Sequence, residues 1–245
     1  MPSEFWTTID LAGHAVDLFE PVERRADAAI LFLPEAGRCA AGSDALTAAL
    51  NRAAVAAVAP RGENCWWLDR IEPEFDSHVT PLAFLAERIL PLFEERFGVI
   101  PPAAKLLGRG VGGQGILQLA FRRPRDFPSV AAIDPAIDFH ELHGRGTTID
   151  LLFEDRESAR QETALLRLHP AGWPRRMLLM ADPAGFWFEG ADRLAMKLRS
   201  MGIPLESDLA QTANGDGSQF FESQVGRAVE FLLTEKKTLP VIPRG

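Results

Sequence analysis

The feature that most constrains the fold is a glycine-rich turn between two apolar segments near the middle of the chain. Residues 104–107 predict a short buried strand, and residues 116–121 predict a helix. The turn between them contains glycines at positions 108, 110, 112, 113 and 115. Glycine adopts sharp and left-handed backbone conformations that a side chain disfavours. The pattern therefore predicts a tight strand-to-helix turn, around which the rest of an α/β fold is arranged.

Short apolar runs alternate with amphipathic segments along the rest of the chain. Strands are predicted at residues 14–19, 28–33, 55–59, 129–133, 177–181 and 204–209. Helices are predicted at residues 44–53, 81–97, 157–168, 189–201 and 220–233, with Ser43 as an N-cap and Gly98 as a C-terminal stop. Residues 14–19 are predicted to be an edge strand, and residues 28–33 a central one. This alternation predicts an α/β fold with a mostly parallel central sheet and helices on both of its faces.

One domain over residues 1–245 is predicted, because a chain of 245 residues with 47% hydrophobic content can bury one sizeable core. Within it, residues 135–173 are predicted to form a cap-like insertion. Residues 234–245 contain two prolines and are predicted to form a flexible tail.

The charge and cysteine content exclude several classes of protein. A net charge of −8 provides no basic surface for nucleic acid or for an anionic membrane. Cys39 and Cys65 are too few for a disulfide framework. The N-terminus lacks the basic and apolar regions of a signal peptide, and no apolar run is long enough to cross a membrane. A soluble cytoplasmic protein without a cofactor is expected, with no nucleic-acid or membrane partner.

Five short motifs together resemble a known family. They are residues 32–37 after the predicted central strand, residues 59–62 followed by Trp66 and Trp67, residues 112–115, residues 186–190 and residues 215–217. Their order is similar to that of the α/β-hydrolase superfamily, in its esterase-D, feruloyl-esterase and phospholipase/carboxylesterase-like branch. The resemblance spans roughly residues 28–233. It implies the α/β-hydrolase fold and an ester-hydrolysing ancestry with a Ser-His-Asp triad.

The family's catalytic positions carry different residues in this chain. The nucleophilic serine of the strand-to-helix turn falls on Gly110, the triad acid on Gly185 and the triad histidine on Asp216. The oxyanion loop, H-G-x-G in the family, is residues 34–37 here and brings a carboxylate at Glu35. The resemblance implies a vestigial cleft, with the following residues at its oxyanion site and walls: Pro34, Glu35, Ala36, Val111, Trp66, Trp67 and Trp187.

These replacements predict a protein that has lost the family's reaction. Acyl transfer needs an activated hydroxyl, a base and a group that orients the base, and removal of one member costs about 10⁴ to 10⁶ in rate. A carboxylate at Glu35 also opposes the negative charge of a tetrahedral intermediate. Asp182, three residues before Gly185, is an alternative position for the acid. We therefore expect a pseudo-hydrolase that binds a small molecule or a protein partner through the vestigial cleft.

A second interpretation keeps the activity with another nucleophile. Cys39 or Ser43, both shortly after the oxyanion loop, would then act in a carboxylesterase or thioesterase. Such a thiol or hydroxyl needs a histidine to activate it. The candidates are His14, His78, His140, His143 and His169.

Two ligand-binding alternatives concern the histidines and the glycines. His140 and His143, near Asp138 and Glu141, suggest a metal, but no further ligand at a suitable spacing is evident and no metal is expected. The glycines also fit the dinucleotide fingerprint G-x-G-x-x-G, with Asp134 about 24 residues downstream of Gly110. A milder form of this idea is an anion site at the glycine-lined helix N-terminus, where removal of a serine side chain leaves space.

Overall fold

The structure is a computed structural model that describes residues 5–169 and 172–234. Its framework is one eight-stranded sheet. The strands are β1 (Trp6–Leu11), β2 (His14–Phe19), β3 (Ala29–Leu33), β4 (Ala56–Pro60), β5 (Ala104–Arg109), β6 (Ser129–Ile133), β7 (Arg176–Met180) and β8 (Glu206–Asp208). The helices are α1 (Asp44–Arg52), α2 (Pro81–Phe84), α3 (Leu90–Phe97), α4 (Gly110–Arg122), α5 (Ile149–Leu152), α6 (Arg156–Gln161), α7 (Phe188–Ser200) and α8 (Gly217–Leu233). All seven strands expected from the sequence are present.

The strand order across the sheet is β1-β2-β4-β3-β5-β6-β7-β8. The strands from β4 to β8 in this order pair in parallel, whereas β1 and β2 are antiparallel to their neighbours. The prediction that β2 is an edge strand is wrong, because β1 pairs with it along its whole length and forms the edge instead. β1 was not predicted from the sequence because Thr7, Thr8 and Asp10 are polar and exposed, and because the strand carries no long apolar run.

Two apolar clusters lie on opposite faces of the sheet, as predicted. One contains side chains of α3, α4 and α7, and the other contains side chains of α1 and α8. β3 and β6 are buried along their entire length because helices cover them on both faces. The carboxyl ends of the parallel strands therefore meet at one edge of the sheet, where the loops after β3, β5, β6 and β7 lie together.

Local signals in the sequence place two helix ends correctly, whereas the last helix begins at Gly217 rather than at residue 220 and the helix predicted at residues 157–168 is interrupted after Gln161. Ser43 accepts a hydrogen bond from the Leu46 amide and begins α1, as predicted. Gly98 has φ of 67° and ends α3 in the left-handed conformation. The predicted helix over residues 81–97 is present but contains a π turn at Leu85–Ile89 between α2 and α3.

The segment predicted to be a cap-like insertion, residues 135–173, carries four short helical turns: Phe139–Leu142, α5, α6 and Ala164–Arg167. Its role as a cap stays a prediction. Of the predicted tail, residues 235–245 lie outside the described residues. Among the described helices, none is both long and apolar enough to cross a bilayer.

Candidate functional site

The glycine-rich turn packs a helix tightly against the sheet. β5 ends at Arg109, and Gly110 opens α4 with φ of 54°, in the left-handed region. A Cβ on Gly112 would lie 2.1 Å from the carbonyl oxygen of Leu33, and one on Gly108 would lie 2.5 Å from the carbonyl oxygen of Gly112. These glycines thus permit close approach of backbone to backbone. The dinucleotide interpretation of the same glycines is wrong, because the strand order is not that of a dinucleotide-binding sheet.

The carboxylate of Glu35 occupies the space beside Gly110. A Cβ built on Gly110 would lie 1.4 Å from Glu35 Oε2, so no side chain fits at this position while Glu35 keeps its conformation. Glu35 Oε1 accepts hydrogen bonds from the backbone N–H of Val111 at 3.4 Å and of Ala36 at 3.2 Å. In α/β-hydrolases one N–H after the nucleophile and one after the central strand form the oxyanion hole, and the match of the Val111 and Ala36 amides to that pair stays a prediction. Here the chain's own carboxylate binds both.

This arrangement changes the anion site expected at the N-terminus of α4. The sequence suggested that space left by a missing serine could hold a small external anion. The space and the donors are instead taken by Glu35, which is half-buried. Burial raises the pKa of Glu35, and the two backbone hydrogen bonds and the cations Arg109 and Arg38 oppose that rise.

The position matched to the triad acid, and the residue after the one matched to the histidine, lie near Asp134. A Cβ on Gly185 would lie 3.7 Å from Asp134 Oδ1, and one on Gly217, next to Asp216, would lie 4.0 Å from Asp134 Oδ2. The carbonyl of Gly110 accepts a hydrogen bond from Ala136, two residues after Asp134. Residues far apart in the chain therefore surround one point at the carboxyl edge of the sheet. Their roles as vestigial triad positions stay a prediction.

Asp134, which the sequence suggested only as the acidic residue of a dinucleotide fingerprint, is the acidic group at this point. It has φ of 46°, which is strained for a residue other than glycine, and is only 7% exposed. Burial, assisted by the charge of Asp182, raises its pKa to about 6, although the Asp182 amide donates a hydrogen bond to it. The signal available in the sequence was an aspartate directly after a buried parallel strand, where ligand-binding groups of such sheets collect.

Asp182 and Asp216 hold the backbone rather than face a ligand. Burial acts to raise the pKa of Asp182, but hydrogen bonds from Thr212 and from the amides of residues 184, 213 and 215 outweigh it and lower the pKa to about 2. Asp182 is fully buried and anchors the loop before α8. Asp216 is exposed and caps α8, accepting hydrogen bonds from the amides of Ser218 and Gln219.

The tryptophans expected in the cleft wall lie in different surroundings. Trp67 is 1% exposed and packs against Gly115 of α4, so it belongs to the core rather than to a cleft wall. Trp66 is buried, and its indole N–H donates to Thr148 Oγ1. Trp187 is half-buried and packs edge-to-face with Phe186, with ring centroids 4.7 Å apart.

A cavity of about 580 Å³ lies beside Glu35, and we call it the arginine cavity. Its walls include Arg38, Arg109 and Ser218, and Phe32 and Phe221 form part of its lining. Its volume is in the range of small-molecule sites. Sequence reasoning did not single out the two arginines, because their meeting depends on how the loop after β3 and the start of α8 face each other.

The alternative nucleophiles Cys39 and Ser43 line the arginine cavity as well. Ser43 is 7% exposed, and its hydroxyl oxygen caps α1. Cys39 is exposed, whereas Cys65 is buried, and burial together with the charge of Glu72 raises the pKa of the Cys65 thiol well above its ordinary value. Cys65 is therefore held as an unreactive thiol.

None of the histidines lines the arginine cavity within the described part of the chain. Their neighbours are Asp76 for His14, Ser77 for His78, Glu141 for His140, the Phe153 carbonyl for His143 and Gly172 for His169. The Ser77 hydroxyl and the His78 imidazole are neighbours in sequence on an exposed loop. Asp138, considered as a metal ligand, pairs with Arg193. Among residues 5–169 and 172–234, no group of three metal-binding side chains is arranged to hold an ion.

Comparisons with known proteins agree with the topology. No protein-family model matches the chain, and no curated protein matches it in sequence. In structure it is similar to an S-formylglutathione hydrolase from Agrobacterium tumefaciens, with a TM-score of 0.71 and 14% identity over 93% of this chain and 94% of that one. A ferulic acid esterase gives a TM-score of 0.72 and 15% identity over 93% and 96% of the two chains. An S-formylglutathione hydrolase from Staphylococcus aureus gives 0.71 and 11% over 94% and 98%.

Proposed function

We propose that this chain, which has the α/β-hydrolase fold, is a non-catalytic member of that fold that binds a ligand or a protein partner through its vestigial cleft. The observation that carries the proposal is the position of Glu35. Its carboxylate takes the space of a nucleophile's side chain at Gly110 and both backbone donors that would stabilise an oxyanion. Among the described residues, the point beside Gly110 therefore has neither space for a tetrahedral intermediate nor a nucleophile at position 110 to form it.

The electrostatics of the same point also oppose acyl transfer. A negative charge developing near Val111 would lie beside the Glu35 carboxylate, and Asp134 adds a second acidic group nearby. The position matched to the histidine, which is the general base of the family, is Asp216, and its side chain caps α8. Esters that enter the cleft are thus expected to bind without being cleaved.

The alternative is an esterase or thioesterase that uses Cys39 or Ser43. Exposure of Cys39 in the arginine cavity favours it, but the cavity wall provides no imidazole among the described residues to activate the thiol. Release of the hydroxyl of Ser43 for attack would also remove the N-cap of α1. The proposal of a non-catalytic protein is therefore the better supported of the two.

The first experiment measures turnover of short-chain nitrophenyl esters by the purified protein, with and without alkylation of its thiols by iodoacetamide. We expect a rate equal to that of buffer in both cases. Turnover that alkylation abolishes would establish Cys39 as a nucleophile and reject the proposal. Turnover that resists alkylation would reject it as well, and Ser43→Ala would then test whether Ser43 is the nucleophile.

The second experiment rebuilds the reaction. One variant carries Gly110→Ser, Gly185→Asp and Asp216→His, and a matched variant carries the same three changes with Glu35→Gly. Because Glu35 fills the oxyanion position, we expect the first variant to be inactive and the second to exceed it by about 10² in rate, the effect of one oxyanion donor. Equal rates in two folded variants would show that Glu35 does not block the site.

A further inference from the structure

The arginine cavity contains two cations that share a single neutral acceptor. Arg109 Nη2 donates to Ser218 Oγ at 3.2 Å, and Arg38 Nη2 lies 3.5 Å from the same oxygen. A guanidinium carries five N–H donors, and a hydroxyl oxygen accepts at most two hydrogen bonds. No carboxylate of the described residues lies within ion-pair distance of either guanidinium, whereas ten of the 21 described arginines have such a partner. The pair is thus poised for an external acceptor.

Arg109 is held in a fixed orientation. Its guanidinium carbon lies 5.1 Å from the centroid of the Phe221 ring, and its side chain is half-buried where β5 ends. Phe221 in turn stacks on Phe32, with ring centroids 5.7 Å apart and an interplanar angle of 23°. Both rings line the cavity and are 2% exposed, so a ligand bound to Arg109 would meet a small apolar area beside the cation.

The charge of the walls selects among anions. Besides the two arginines, the cavity is lined by Glu35, Asp44 and Glu222. The carboxylates of Glu35 and Glu222 already accept backbone hydrogen bonds, from Val111 and Ala45 respectively. Three acidic side chains against two arginines leave the lining with a net negative charge, so a dianion such as phosphate meets about twice the net repulsion that a monoanion meets. The planar fork of an arginine matches the two oxygens of a carboxylate.

We propose that the arginine cavity binds a small organic monocarboxylate with an apolar body, whose carboxylate lies between Arg38 and Arg109 and whose body lies over Phe32 and Phe221. This inference rests on the proposed function, because it names a class of ligand for a cavity that shares Pro34 and Glu35 with the vestigial cleft. The carboxylate binds at the arginines rather than at the N-terminus of α4, since Glu35 already fills that position.

The test titrates three probes into the intact chain and follows amide shifts by NMR: benzoate, its neutral analogue benzamide, and inorganic phosphate. We expect saturable binding of benzoate, with benzamide and phosphate each bound at least about tenfold more weakly, which corresponds to about 1.4 kcal/mol. No saturation by benzoate up to about 20 mM, or equal binding of benzamide, would overturn the inference. Tighter binding of phosphate than of benzoate would also overturn it.

Variants locate the site. Arg38→Gln changes an exposed side chain and is expected to keep the fold, and Arg109→Gln changes the half-buried one. Each is expected to weaken benzoate binding about tenfold, as for a lost hydrogen bond between charged groups. Arg52 is also an exposed arginine, but it lies at the C-terminal end of α1, whereas Asp44 at the N-terminal end lines the cavity. Arg52→Gln is therefore the matched control and should bind benzoate as the natural protein does. Unchanged affinity in Arg38→Gln would refute the site even if Arg109→Gln did not fold.

The ester assay keeps the two proposals apart. Ester turnover by the natural chain would reject the non-catalytic function whether or not benzoate binds. Absence of both turnover and benzoate binding would reject only the monocarboxylate site and leave the non-catalytic function standing.

Discussion

Replacement of Gly110 by alanine tests the contact on which the functional argument depends. The new Cβ would lie 1.4 Å from Glu35 Oε2, far inside van der Waals contact, so the carboxylate has to leave its position. The amides of Val111 and Ala36 then lose their acceptor. In addition, an alanine at φ of 54° adopts a left-handed conformation that its Cβ disfavours.

The two costs can be sized separately. The left-handed conformation costs about 1–2 kcal/mol. Loss of two long hydrogen bonds to a half-buried carboxylate costs about 2 kcal/mol more. We therefore expect Gly110→Ala to lower the free energy of unfolding by about 3–4 kcal/mol. In a Glu35→Ala background only the conformational cost remains, so the two positions should show a coupling energy of about 2 kcal/mol.

The assay is urea denaturation followed by tryptophan fluorescence, applied to the natural chain, the two single variants and the double variant. Gly98→Ala is a matched control, because Gly98 also has a positive φ, of 67°, but has nothing within 4 Å of its missing Cβ. It should cost about 1–2 kcal/mol, independent of Glu35. If Gly110→Ala costs no more than Gly98→Ala, or if Glu35→Ala leaves its cost unchanged, the carboxylate does not fill the space beside Gly110.

Three further predictions concern acidic groups. Burial raises the pKa of Glu72 from 4.5 to about 7. The carboxyl therefore loses its proton at a lower pH in the unfolded chain than in the folded one. The free energy of unfolding should fall by about 3 kcal/mol as the pH rises from about 4.5 to about 7. Glu72→Gln should remove this loss of stability. Urea denaturation of the natural chain and of the variant at about pH 5 and about pH 8 measures it, and an equal fall in the two proteins would contradict the prediction. Asp182→Ala should lower the free energy of unfolding by about 3 kcal/mol or more at neutral pH, because four donors lose their acceptor. Thermal denaturation checks this, and a loss smaller than that caused by Thr212→Ala would contradict it. Asp216→Ala should cost about 1 kcal/mol through loss of the N-cap of α8, whereas Asp216→Asn should cost little, and circular dichroism melts compare the two.

The sequence predicted those parts of the fold that depend on local patterns. The buried strand β6 was placed residue by residue, because a short apolar run between turn residues has few other interpretations. Ser43 and Gly98 were identified as helix ends because capping and left-handed backbone depend on the residue itself. β1 was missed because half of its residues face water.

The candidate site was only partly predictable. Glu35 and Gly110 were each singled out from the sequence, but their contact depends on the direction of one side chain across two loops, which no local pattern encodes. The same holds for Arg38 and Arg109, which meet only because Ser218 begins α8 beside the loop after β3. Trp67 was predicted to line the cleft but lies in the core, because the sequence pattern of an aromatic residue in a cleft wall is the same as that of one in the core.

The fit between Glu35 and Gly110 also restricts the order in which substitutions at these two positions can accumulate during evolution. A serine that arises at position 110 in a single mutational step enters a space that is already filled, whereas a smaller residue at position 35 opens that space first. If the serine arises first, the intermediate protein is poorly packed, because the serine side chain and Glu35 compete for the same space. If Glu35 is replaced first, the serine enters an open space. Selection for a folded protein would therefore tend to preserve the glycine and the glutamate together.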